Sequence, residues 1–162
     1  MHFRSYNYRH AESILNANYR LKKEIEQVLS ELELEPPRRV PRNGAVPVHR
    51  QIQQAFQQRG WEAEVLASRR MRKRHFFDLY KDRVAIEIEL SNRELLYRDY
   101  LRFLLAEAEG RIDVGMILLA DYPDAAFPAG GLRTLPRLEQ VVDDLNCLRG
   151  VVGVPLWVVA LE

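Results

Sequence analysis

Cysteine is nearly absent from the chain. A single residue, Cys147, in 162 cannot form an internal disulfide, so a reducing compartment is expected, with the cytoplasm as the default. Beside Leu145 and Leu148 on a helical pattern, and with no metal-ligand spacing around it, Cys147 reads as a packing residue. Long apolar runs are lacking as well. The longest, over residues 151–161, is interrupted by Gly153 and Pro155 and falls short of the ~20 residues that a bilayer requires, so no membrane span is expected. The opening MHFRSYNYRHAE carries neither an apolar leader core nor a lipidation pattern. Charge of one sign is also missing: 24 Lys and Arg against 23 Asp and Glu leave +1 and a pI near 7.9. That excludes a strongly basic nucleic-acid binder and leaves any such affinity to the distribution of charge. What is present, 47% hydrophobic and 29% charged residues, suits one globular domain over residues 1–162.

Ile14, Leu21, Ile25, Val28 and Leu32 recur at helical spacing and predict one long amphipathic helix over 11–34. Four prolines and a glycine within residues 35–48 then break regular structure. HRQIQQAFQQRG reads as a short polar helix with one apolar edge, Ile52, Ala55 and Phe56, stopping at Gly60. Three strands follow: WEAEVLAS, then FFDLY after the basic run 69–74, then 84–90 beyond a turn at Lys81-Asp82-Arg83. Leu96, Tyr100, Phe103 and Leu104 mark a helix ending at Gly110, and the continuous run 113–120 predicts a strand buried on both faces. A loop over 121–134, a helix carrying Leu138, Val141, Val142, Leu145 and Leu148, and a strand over 154–160 complete the chain.

Strand alternation places Val84, Ile86, Ile88 and Leu90 on one face and Ala85, Glu87 and Glu89 on the other. The apolar face would pack under a helix, and the glutamates would lie open at a cleft or sheet edge. Asp78, on the preceding strand across a tight turn, can approach the same point. Three carboxylates converging within a few ångströms repel unless a cation compensates them, and oxygen ligands in that number favour Mg2+ or Mn2+ over zinc. Such a site hydrolyses phosphodiesters. A half-exposed strand also alternates Ile with Glu, so solvent-facing acids stand as the other reading.

The order helix, three-strand meander, helix, strand, with an acid on the second strand and E-x-E on the third, resembles the PD-(D/E)XK nuclease core. More closely the chain resembles the BglII-type restriction endonucleases, which cut palindromic DNA as homodimers. The matching pieces are YNYRHAESIL (residues 6–15), the Asp78 to Glu87 spacing, VAIEIELSN (84–92) and VPLWVVAL (154–161). The resemblance implies an α/β fold with a restriction-endonuclease-like core, a central mixed sheet with a three-strand meander flanked by helices. It also implies Asp78 and Glu87 as ligands of a divalent metal, aided by the Ile88 carbonyl, with Glu89 at the usual lysine position as a further ligand or water-orienting base.

By the same resemblance Ser91 and Asn92 lie beside the active strand, where Asn suits an adenine edge in the major groove. Asn92 also suits a helix N-cap. Arg70, Arg72, Lys73 and Arg74 would neutralise phosphates, or form a solvated loop. Glu12 is a second-tier metal candidate that the helix dipole equally explains, and His75 reads as a surface or strand-edge residue. The BglII pattern continues into a C-terminal extension beyond this chain's last strand, which leaves the recognition sequence open; the proline-rich loop and basic run would supply the clamp. The expected activity is Mg2+-dependent cleavage of double-stranded DNA by a type II restriction enzyme. A repair or mobile-element nuclease and a silent DNA-binding module of the same fold are the alternatives.

Overall fold

A computed structural model describes residues 2–33, 47–70, 75–90, 93–120 and 136–161. In chain order the elements are β1 (Phe3–Tyr8), α1 (Ala11–Ala17), α2 (Tyr19–Glu31), α3 (Pro47–Gln57), β2 (Glu62–Leu66), β3 (Phe76–Lys81), β4 (Val84–Glu89), α4 (Arg93–Ala108), β5 (Val114–Ala120), α5 (Leu138–Cys147) and β6 (Leu156–Leu161). The strands form one mixed sheet in the order β1-β6-β5-β4-β3-β2. β2, β3 and β4 are the antiparallel meander read from the sequence, β4, β5 and β6 run parallel, and β1 closes the far edge antiparallel to β6.

Helices cover both faces, so the central strands are apolar apart from Glu87 and Glu89 of β4. On one face Ile25, Leu29, Ile52 and Phe56 of α2 and α3 pack against Ile86, Met116, Leu118 and Val159. On the other, Leu96, Phe103, Val141 and Leu145 of α4 and α5 pack against Ala85, Ile117, Leu119 and Val158. The β3–β4 turn is a two-residue hairpin in which Asp82 and Arg83 both take positive φ, 47° and 65°, the pairing that matches sheet twist. Gly60 and Gly110, at φ 82° and 67°, end α3 and α4 in the left-handed conformation that a side chain would strain.

Three expectations are corrected. The long helix is two, because Asn18 leaves helical geometry (φ −109°, ψ 65°) and its side chain accepts the Leu21 N–H to start α2; Ile14 thereby leaves the buried stripe and is 39% exposed. β1 was not foreseen. Cys147 is exposed rather than packed. The proline-rich loop, apart from its last residues in α3, and the 121–134 loop lie outside the described residues.

Candidate active site

β3 loses its ladder on both sides at one residue. Cα partners run Glu62↔Tyr80, Ala63↔Leu79, Val65↔Phe77 on the β2 side and Lys81↔Val84, Tyr80↔Ala85, Leu79↔Ile86 on the β4 side. Asp78 has none on either. Opposite it on β2, Glu64 takes φ 54°, and within β3 Leu79 packs with the α2/α3 face while Phe77 packs with the α4 face. Strict alternation would put those two on the same side, so the strand switches faces at Asp78.

The Asp78 side chain replaces part of what the ladder lost. Its Oδ2 accepts the Ile88 N–H at 2.7 Å, and leaving that amide unpaired beside the core would cost about 1–3 kcal/mol. The N–H and C=O of a strand residue point to the same edge, so the Ile88 carbonyl is turned toward the Asp78 side. From α3, His49 Nε2 lies 3.2 Å from Asp78 Oδ1, and Gln53 Nε2 donates to the Asp78 carbonyl at 3.1 Å. Burial disfavours the charged ring of His49, yet the hydrogen bond and charge of Asp78, with Glu89 behind, raise its pKa above the usual value.

Glu87 and Glu89 do share one face of β4, but that face is not open. β4 lies inside the sheet, and the two residues are only 2% and 6% exposed. The expected cleft or edge is corrected by α4, whose residues cover the glutamates. Arg102 Nη1 donates to Glu87 Oε1 at 2.7 Å and to Asp99 Oδ1 at 2.9 Å. Burial is the main reason that Glu87 is held well above the ordinary carboxyl range; the charges of Asp99 and Asp78 add to it and Arg102 opposes it. Asp99 is pushed from 3.8 to about 7, again chiefly by burial, with Arg102 opposing and Glu89 adding.

The structure joins Asp78 to the Ile88 amide at the end of the β3–β4 pairing, with Glu87 the residue before Ile88 in β4. It does not close three ligating side chains: among the described residues no group of three His, Cys, Asp or Glu stands at metal-holding distances. Each acid is turned to a protein partner instead, Asp78 to His49 and Glu87 to Arg102. The donor set still suits a hard divalent cation, because it is all oxygen.

Glu12 sits in the first turn of α1 and is paired with Lys22 at 3.0 Å; no described contact joins it to Asp78 or Glu87. Arg70 is exposed, and its N–H donates to the buried Ser68 hydroxyl, which donates to Glu109 after α4. Arg72, Lys73, Arg74, Ser91 and Asn92 lie outside the described residues. His75 is half-buried, and its carbonyl accepts the Ala67 N–H at 2.8 Å.

Sequence reasoning missed His49, Gln53, Asp99 and Arg102. One signal was available for Asp99: it falls between Leu96 and Phe103 on the apolar stripe of α4, where an unpaired charge would not be tolerated.

The family model described as restriction endonuclease BglII/BglIII matches residues 3–161. Among solved structures, restriction endonuclease BglII complexed with a DNA 16-mer matches with a TM-score of 0.81 at 22% identity, covering 100% of this chain and 78% of that one. Free BglII matches with a TM-score of 0.71 at 24% identity, covering 100% and 80%. No curated protein sequence matches the chain. The structural likeness is one of fold, and the family match runs through every element built above. The chain belongs to the BglII/BglIII family of restriction endonucleases, type II site-specific deoxyribonucleases.

Proposed function

We propose that the chain is a one-domain subunit of a homodimer that hydrolyses both strands of double-stranded DNA at a short palindromic site in the cytoplasm, with Mg2+ as its cation and Mn2+ as a substitute. The observation that carries this reading is the break in β3. At that point the Asp78 carboxylate accepts the Ile88 N–H, next in β4 to the buried Glu87, within a chain of the BglII/BglIII family. The solved complex of BglII with a DNA 16-mer supports duplex DNA as the substrate. Dimerisation follows from symmetry: a palindrome read by one small subunit requires a two-fold partner.

In this reading Asp78, Glu87 and the Ile88 carbonyl hold the cation. When bound, such a cation neutralises charge developing on the phosphate and lowers the pKa of a water that attacks it. Glu89 lacks the positive charge of a lysine, so its role is to orient the water or add a ligand. Arg102 keeps the Glu87 carboxylate in place from α4. Arg70, Arg72, Lys73 and Arg74 neutralise backbone phosphates, and the anchoring of Ser68 to Glu109 supports a fixed base for that run. Ser91 and Asn92, which follow β4 in the sequence, are the candidates for reading base edges.

The test is incubation with plasmid and Mg2+, with and without chelator, followed by mapping of the ends. The expected result is discrete fragments with two-fold related ends, none in EDTA, and at least about 1000-fold less cleavage by Asp78→Asn with an unchanged fold. Full activity in EDTA would overturn the metal assignment. Duplex binding without cleavage under every divalent cation would return the silent-module reading.

A further inference from the structure

Asp78 is the residue of β3 with no Cα partner on either neighbouring strand, so the ladder does not fix its position. The Ile88 amide fixes one carboxylate oxygen. The other described contacts on it come from α3, on which His49 and Gln53 stand four residues apart and therefore on the same side. His49 takes the other carboxylate oxygen at 3.2 Å, and Gln53 takes the backbone carbonyl of the same residue at 3.1 Å. Both side chains are half-buried, and the helix below them is seated by Val48, Ile52 and Phe56, each within the core. One rigid helix thus grips Asp78 at its backbone and at its side chain.

From this geometry we infer that His49 and Gln53 are positioning residues of the cleavage site: they clamp Asp78 in the orientation in which it takes the divalent cation. The inference rests on Asp78 being a cation ligand, as proposed above. The clamp engages both carboxylate oxygens of Asp78, one on the Ile88 amide and the other on His49. Groups that hydrogen-bond a ligating carboxylate set its direction, and their loss ordinarily lowers metal affinity by about 10- to 100-fold. Glutamine can place an amide N–H close to the position of the imidazole Nε2, so His49→Gln preserves the clamp where His49→Ala removes it.

The experiment is titration of the DNA-free, full-length chain with Mn2+, followed by water-proton relaxation, for wild type, His49→Ala, His49→Gln, Gln53→Ala and Asp78→Asn. Expected are about tenfold or greater losses of Mn2+ affinity in His49→Ala and Gln53→Ala, and affinity within about threefold of wild type in His49→Gln. Metal-free melting temperatures should stay close to wild type, since both positions are half-exposed; where His49→Ala melts early, Gln53→Ala carries the same comparison. Wild-type affinity in both alanine variants, or equal loss in His49→Gln and His49→Ala, would overturn the clamp. Undiminished binding in Asp78→Asn would overturn instead the ligand assignment on which the clamp rests.

Discussion

Asp99→Asn separates two opposing effects on α4. Asp99 is 3% exposed, and its burial raises its pKa from 3.8 to about 7 in spite of Arg102 at 2.9 Å. A carboxyl whose pKa is higher folded than unfolded favours the folded state while it is protonated. Its contribution is complete below about pH 4 and is lost as pH rises through about 7. At about 1.4 kcal/mol per pH unit, holding Asp99 ionised at pH 8 costs the metal-free fold about 4 kcal/mol at most. Asparagine keeps an oxygen for Arg102 Nη1 and cannot ionise. The variant is therefore expected to be more stable than wild type at pH 8, by up to about 8–16 °C in melting temperature for a chain of this size. Near pH 4.5 the difference should shrink to under about 1 kcal/mol. The assay is thermal or guanidinium unfolding in EDTA at several pH values. A variant less stable than wild type at pH 8 would refute the reasoning, because it would show that the Arg102–Asp99 attraction outweighs burial.

Arg102→Met should act in the opposite sense, leaving Glu87 and Asp99 buried without their cation and destabilising by about 3 kcal/mol at pH 8, with less loss at pH 5, read from the same unfolding series. Gly115→Ala should cost about 1–3 kcal/mol in denaturant unfolding, because an added Cβ would stand 2.6 Å from Phe103 Cδ1 and 2.7 Å from Leu156 Cδ2 in the core; unchanged stability would mean that the β5–α4 contact is looser than drawn. Glu87→Gln should abolish Mg2+-dependent plasmid cleavage while raising metal-free stability at pH 8, since burial is the chief cause of its raised pKa; loss of both activity and fold would count against it. Glu12→Gln should leave cleavage within about twofold of wild type, as its carboxylate is already paired with Lys22, and a loss of 100-fold or more would return it to the site.

Local signals carried the sequence reading as far as they could. The meander, α4 and α5 were legible because each buries a face that repeats with its own period, β5 because its apolar run is continuous, and the two-residue turn at Asp82 and Arg83 fixed where β3 folds back. β1 was not legible. FRSYNY is an edge strand with only Tyr8 fully buried, and its partner lies at the other end of the chain, Phe3 opposite Leu161. No pattern within six residues reports such a pairing. The break at Asn18 had a signal, since Asn is a favoured N-cap, but a continuous apolar spacing across it concealed the change of helix. Alternation placed Glu87 and Glu89 on one face correctly; their burial depended on α4 crossing over them, which no local pattern contains.

The same limit explains why the helper residues escaped notice while the acids did not. Strand alternation and the resemblance mark Asp78, Glu87 and Glu89 because all three lie on one hairpin, whereas His49, Gln53, Asp99 and Arg102 come from helices on opposite faces of the sheet. The break in β3 makes both approaches possible. Where a ladder is intact, a strand's N–H and C=O groups are engaged in the plane of the sheet and each side chain belongs to one layer. At Asp78 the ladder lapses, the strand changes face, and α3 reaches the backbone and carboxylate of a residue whose neighbour across the gap, Glu87, is held from the other layer. Each acid therefore answers to a different helix. Variants on α3 should move cation binding with little change in stability, and variants at Asp99 and Arg102 should move stability and its pH dependence, because Asp99 is buried and ion-paired to the part-buried Arg102 whereas His49 and Gln53 are half-exposed.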